Sequence, residues 1–130
     1  MLVLDASLVV ADCAAGRGFD YLGDGELVAP PLLWAEARSG LHEAAWRGEV
    51  DRETALRAHA RLLAAPIEPH APRELGPRAW ELADELGWAR TYDAEYLALA
   101  SLLGCRLVTV DARLRRGADR LGFVVSPSEL

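Results

Sequence analysis

Short runs of consecutive apolar residues alternate with longer amphipathic stretches along this chain. Leu2-Val3-Leu4 is wholly apolar and is closed at once by Asp5. Lacking polar alternation, such a run reads as a strand buried on both faces, as in a parallel sheet. Leu27 to Ala29, Arg106 to Val110 and Phe123 to Val125 read the same way. Pro66 to Pro69 can hold only a short edge strand, because its two prolines cannot donate to a ladder.

Helices are expected between these strands. The first spans Ala6 to Ala15 and is stopped by Gly16-Arg17-Gly18; Phe19 to Leu22 can add one more turn. Pro31 is suited to open a helix running to Arg47, whose apolar face carries Leu33, Ala37, Gly40, Leu41 and Ala44, with Glu36 on its flank. Asp51 caps Arg52 to Ala64, for which Leu56, Ala60 and Leu63 are expected inward and Arg52, Arg57 and Arg61 outward. Arg73 to Leu86 is amphipathic. Thr91 to Leu103 is apolar almost all round and should be buried. Ala112 to Leu121 forms a basic helix before the last strand. Strands alternating with helices define an α/β fold with a mainly parallel sheet, and residues 1–130 make a single domain.

Composition narrows the chemistry. All fourteen basic residues are arginine, and the chain has no lysine, asparagine or glutamine. A phosphate-loop lysine and a Schiff base are therefore excluded, and a phospho-receiver site, which would require a lysine, is disfavoured. The net charge of −6 argues against gripping nucleic acid by bulk charge, though not against local basic patches. Cys13 and Cys105 read as small buried hydrophobes, and His42, His59 and His70 lack metal-ligand spacing. Met1 leads straight into a strand and Asp5 interrupts any hydrophobic leader, so a soluble, cytoplasmic protein with no membrane attachment is expected. Carboxylates, twenty in all, are the plentiful reactive group.

Four of them attract attention by position. Asp5 and Asp111 each follow a buried strand, which in a parallel sheet places both at one edge. Asp93 starts the buried helix leading into the second of those strands, and Glu36 flanks an apolar face after another. Singly, Asp5, Asp93 and Asp111 suit helix caps, and Glu36 suits an ion pair, with Arg47 on the same side of its helix. Together, without a lysine nearby, they would repel one another strongly. A hard divalent cation, Mg²⁺ or Mn²⁺, relieves that repulsion through oxygen ligands and retained waters. Beside a phosphodiester it can also lower the pKa of a water and orient it for attack. Ser7 and Thr109, each two residues from one of these acids, are placed to orient a carboxylate.

At these residues the sequence resembles the PIN-domain family, in particular the VapC-type toxins of bacterial toxin–antitoxin pairs. The matching segments are Leu2 to Ser7, Ala29 to Glu36 with Ser39-Gly40-Leu41, Thr91 to Ala100 and Leu107 to Leu114, in the family's order. The resemblance implies a three-layer α/β/α fold on a central five-stranded parallel sheet, with Asp5 and Asp111 on neighbouring central strands. It implies a Mg²⁺- or Mn²⁺-dependent endoribonuclease, usually a homodimer, blocked by a cognate antitoxin. The family's acids fall on Asp5, Glu36, Asp93 and Asp111, and its assisting hydroxyls on Ser7 and Thr109. Many relatives carry a further acid near the start of the buried helix. Glu95, the nearby candidate, projects about 160° from Asp93 and is left out.

Arg90, Arg113, Arg115 and Arg116 are the candidates for phosphate contacts with an RNA substrate. With no amide side chains, base preference must come from substrate shape, arginine contacts and backbone groups. Most of the four tryptophans are expected in the core, but Trp46 projects away from the apolar face of its helix and is expected to anchor an antitoxin or a second subunit. The competing reading is a catalytically silent binding module of the same fold, its acids serving only as caps and ion pairs.

Overall fold

A computed structural model describes all of residues 1–130. Its five strands are β1 (Leu2–Leu4), β2 (Leu27–Ala29), β3 (Ile67–Pro69), β4 (Arg106–Val108) and β5 (Val124–Val125). They form one sheet in the order β3-β2-β1-β4-β5, and every pairing is parallel. β1 lies at the centre, with Leu4 opposite Val108 of β4. The proline-bounded β3 is an edge strand, as its missing donors require.

The helices are α1 (Ala6–Ala15), α2 (Leu32–Trp46), α3 (Arg52–Ala64), α4 (Leu75–Leu86), α5 (Tyr92–Leu103) and α6 (Ala112–Gly117). α1, α2 and α3 pack on one another, while α4 packs on α5 and α5 on β1 and β4, so helices cover both sides of the sheet. Val3, Leu4, Val28, Leu97, Leu99, Leu107 and Val108 join helices and sheet in one continuous core. The sharp helix ends come from glycine: α1, α4 and α5 stop at Gly16, Gly87 and Gly104, each left-handed at φ 67, 71 and 64°. No helix is long and apolar enough to cross a membrane.

Several expectations need correction. The buried face of α3 is Ala55, Ala58 and Leu62, whereas Leu56, Ala60 and Leu63 face water. Both stripes have helical spacing; the alanine stripe wins because small side chains let α3 approach α1 and α2 closely. Arg61 is not on a merely solvated face, since its guanidinium donates to the Cys13 carbonyl near the end of α1 (2.9 Å). α4 begins at Leu75 rather than Arg73, and the stretch expected as one helix to Leu121 breaks after Gly117 into a 3-10 turn, Asp119–Leu121. β4 ends at Val108 rather than Val110, although the Thr109 amide still donates to the Val125 carbonyl of β5 (3.0 Å). Of the tryptophans, Trp34 and Trp88 pack partly against the core, but Trp46 and Trp80 are 84% and 68% exposed.

Candidate active site

The parallel pairing of β1 with β4 carries Asp5 beside Thr109, one residue beyond the Leu4–Val108 match. Asp5 is almost fully buried, at 4% exposure, and so is Thr109, at 1%. The Thr109 hydroxyl donates to Asp5 Oδ2 at 2.6 Å, and the Ser7 hydroxyl lies 2.9 Å from both carboxylate oxygens. Each hydroxyl has one proton, and both are directed at Asp5. Their lone pairs accept from the backbone instead: Asp111 N–H donates to Thr109 (3.0 Å) and Val110 N–H to Ser7 (3.4 Å). The Leu8 amide donates to Asp5 Oδ1 (3.1 Å), so Asp5 also caps α1. These bonds lower its pKa, but burial outweighs them, and with a contribution from Asp111 the carboxyl is pushed up to about 6.

Asp111 caps α6, accepting from the Arg113 and Leu114 amides (2.9 and 3.3 Å). Through Thr109 its backbone is tied to the Asp5 carboxylate. Glu36, half-buried on α2, accepts a hydrogen bond from the Tyr96 hydroxyl of α5 (2.8 Å). Burial raises its pKa, and the charges of Asp93 and Glu95 raise it further. Asp93 remains accessible in the first turn of α5, yet crowding by the surrounding protein raises its carboxyl, Asp111 adds to this, and Arg113 opposes it.

Glu36, Asp93 and Asp111 line one groove of about 580 Å³, together with Trp88, Arg90, Tyr92 and Arg113. Asp5 is not in its wall but is buried close enough to act on both Tyr96 and Asp111. None of the four acids is in an ion pair. The ion pair open to Glu36 does not form, because Arg47 turns to Glu43 (3.5 Å). Glu95 does not line the groove, in keeping with its projection away from Asp93, although its charge reaches Glu36.

The structure does not bring all the candidate arginines together. Arg90 and Arg113 flank the acids in the groove. Arg115 is committed elsewhere, to Asp119 (2.5 Å) and Glu129 (2.7 Å), and Arg116 borders that same separate depression. A phosphate would have to displace two carboxylates from Arg115.

Tyr96 is not singled out by the sequence, in which its helix reads as apolar almost all round. Its ring is 1% exposed, and its hydroxyl, also within reach of the charges on Asp5 and Asp93, holds Glu36. The available signal was chemical: a tyrosine in an otherwise aliphatic buried helix needs a partner for its hydroxyl.

No three of these side chains are close enough to enclose an ion by themselves. The donor chemistry nevertheless fits a hard divalent cation that keeps part of its water shell: the set is all oxygen, burial raises the pKa of Asp5, Glu36 and Asp93, and no member is held in an ion pair. Asp93, Asp111 and Glu36 could meet it from the groove, with Asp5 behind them.

Comparison with known proteins agrees with this architecture. The PIN domain family model matches residues 2–120. A VapC ribonuclease of Mycobacterium bovis is 36% identical over 118 residues, covering 88% of each chain. Ribonuclease VapC1 of Mycobacterium tuberculosis is 37% identical over 123 residues, covering 86% of each. Among solved structures, PAE2754 from Pyrobaculum aerophilum superposes with a TM-score of 0.75 at 25% identity, covering 98% of this chain and 90% of that one. A toxin–antitoxin complex from Klebsiella pneumoniae shares the fold at a TM-score of 0.65 and 17% identity, covering 98% of both chains. By sequence and by fold, the chain belongs to the PIN-domain family.

Proposed function

We propose that this protein is a Mg²⁺- or Mn²⁺-dependent endoribonuclease of the VapC toxin type, held inactive by a cognate antitoxin. The observation that carries the reading is the group of four acids at the carboxyl edge of the sheet, three lining a groove and none paired with any of the fourteen arginines. The ribonuclease names of its relatives in the two mycobacteria point to RNA.

When bound, the cation would supply charge neutralisation and an activated water for attack on a phosphodiester. The chain does the rest. Ser7, Thr109 and the Leu8 amide fix the Asp5 carboxylate, and Thr109 ties it to the Asp111 backbone. Tyr96 orients Glu36. Arg90 and Arg113, which line the same groove as three of the acids, offer charge-assisted contacts to phosphates. The antitoxin and dimer assignments follow from the VapC resemblance, and exposed Trp46, which lines an apolar groove together with Leu56, offers a surface for either.

One observation favours the silent binding module: Asp5 and Asp111 both cap helices. Glu36 and Asp93 do not fit it, since neither caps a helix nor forms an ion pair. Incubating RNA with antitoxin-free protein in Mg²⁺, in EDTA, and with the Asp5→Asn variant separates the two. Cleavage in the first arm alone is expected. Equal cleavage in all three rejects the mechanism, and no cleavage in any favours the binding module.

A further inference from the structure

We infer that Tyr92 is the base-stacking platform of the groove, the residue that seats one unpaired nucleotide beside the acids; the inference rests on the ribonuclease reading. Tyr92 opens α5 and lines the groove with Asp93, Asp111 and Glu36, yet it is 55% exposed. It belongs neither to the core nor to the half-buried apolar residues packed around it. Its ring therefore contributes little to the fold.

The contrast with the two other aromatics of the region is informative. Tyr96, one turn further along the same face of α5, is buried and spends its hydroxyl on Glu36. Trp88 is pinned under α6, where a Cβ built on Gly117 would lie 3.2 Å from the indole. Tyr92 is the more exposed of the two aromatics that line the groove, and it lies about 6 Å along the helix from the residue that anchors Glu36.

Electrostatics make such a platform useful. The acids that border the groove repel phosphate, two arginines offset them only in part, and the whole chain carries −6. Stacking needs no charge, because every base has a π face. The chain also lacks the amides used for paired base contacts, which leaves an aromatic face as a sequence-tolerant way to hold a base. In a duplex each base is already stacked between neighbours, so only an unpaired nucleotide can use Tyr92.

The test measures binding apart from cleavage. A fluorescein-labelled single-stranded oligoribonucleotide is titrated in EDTA with the full chain and with Tyr92→Ala, Tyr92→Phe and Tyr92→Trp, folding being checked by circular dichroism. Tyr92→Ala should weaken binding roughly tenfold, while Tyr92→Phe and Tyr92→Trp stay within about twofold of the unmodified chain. Removing the base at one position of the strand should cost the unmodified protein a similar factor and cost Tyr92→Ala nothing. The proposal is overturned if Tyr92→Ala binds as well as the unmodified chain, or if Tyr92→Phe loses as much as Tyr92→Ala. When the unmodified chain binds and, with Mg²⁺, cleaves RNA, either result removes the platform and leaves the ribonuclease standing. A protein that neither binds nor cleaves RNA takes both readings down together.

Discussion

Two groups of carboxylates in this molecule meet opposite treatment. At the C-terminal end, Arg115 bridges Asp119 and Glu129, and the Ser126 amide donates to Glu129 at 2.6 Å, so the last residues are clipped onto α6. That arginine, first of all, holds the Glu129 carboxyl down to about 2. At the carboxyl edge of the sheet, Asp5 rises to about 6 and Glu36 and Asp93 are also raised, burial leading in each case. An exposed terminal glutamate is bridged by a guanidinium, whereas none of the four acids at the sheet edge forms an ion pair, although Arg90 and Arg113 line the groove beside three of them. A chain with fourteen arginines to distribute leaves its most costly charges unpaired only where they serve something other than stability.

Removing charge from the unpaired group should have the largest effect. Asp5→Asn and Asp111→Asn should each lower RNA cleavage by more than about a hundredfold while far-ultraviolet circular dichroism stays unchanged, since outer-shell partners alone carry 10–100-fold effects at such sites. Cleavage within a few-fold of the unmodified rate would place these acids among the helix caps.

Next in size is a dependence on pH. A carboxyl whose folded pKa is raised binds more protons folded than unfolded between the two values. Asp5 therefore makes the metal-free protein lose stability as pH rises from about 4 through about 6, by an amount on the order of 3 kcal/mol, and Glu36 and Asp93 act in the same direction. Glu129 does the reverse: its contribution is present above its unfolded value near 4.5 and is lost as pH falls towards about 2. Chemical denaturation in EDTA across this range should show both trends. Asp5→Asn should flatten the higher window and Glu129→Gln the lower; a stability that rises from pH 4 to 6 in a manner sensitive to Asp5→Asn contradicts the assignment.

Tyr96→Phe is a smaller change. It deletes one oxygen and leaves Glu36 half-buried without its donor. Stability should fall by about 1 kcal/mol and cleavage by roughly tenfold. Loss of stability with an unchanged rate would make Tyr96 a structural residue only. Glu129→Gln, the smallest, should leave cleavage in Mg²⁺ within about twofold; a loss comparable to that of Asp5→Asn would erase the distinction between the two groups.

Much of the site was legible because it depends on strand ends. Buried apolar runs closed by Asp5 and Asp111 specify both the sheet and the edge where those acids appear, and Ser7 and Thr109 follow from local spacing. What could not be read depends on choices made in three dimensions. The α3 stripe of Ala55, Ala58 and Leu62 and the stripe of Leu56, Ala60 and Leu63 have equally good periodicity, and only packing against α1 and α2 selects the first. Arg115 looked like its neighbour Arg113 until the chain end, fourteen residues on, brought Glu129 against it. Tyr96 and Glu36 are sixty positions apart, and no local pattern links them.

The claim that the unpaired acids await a divalent cation is tested most directly by titrating Mn²⁺ into the metal-free protein by calorimetry, alongside Asp111→Asn and Glu129→Gln. Saturable binding is expected for the unmodified chain and for Glu129→Gln, and it should be weakened at least tenfold in Asp111→Asn. Equal Mn²⁺ binding by all three proteins, or none by any, would contradict the account.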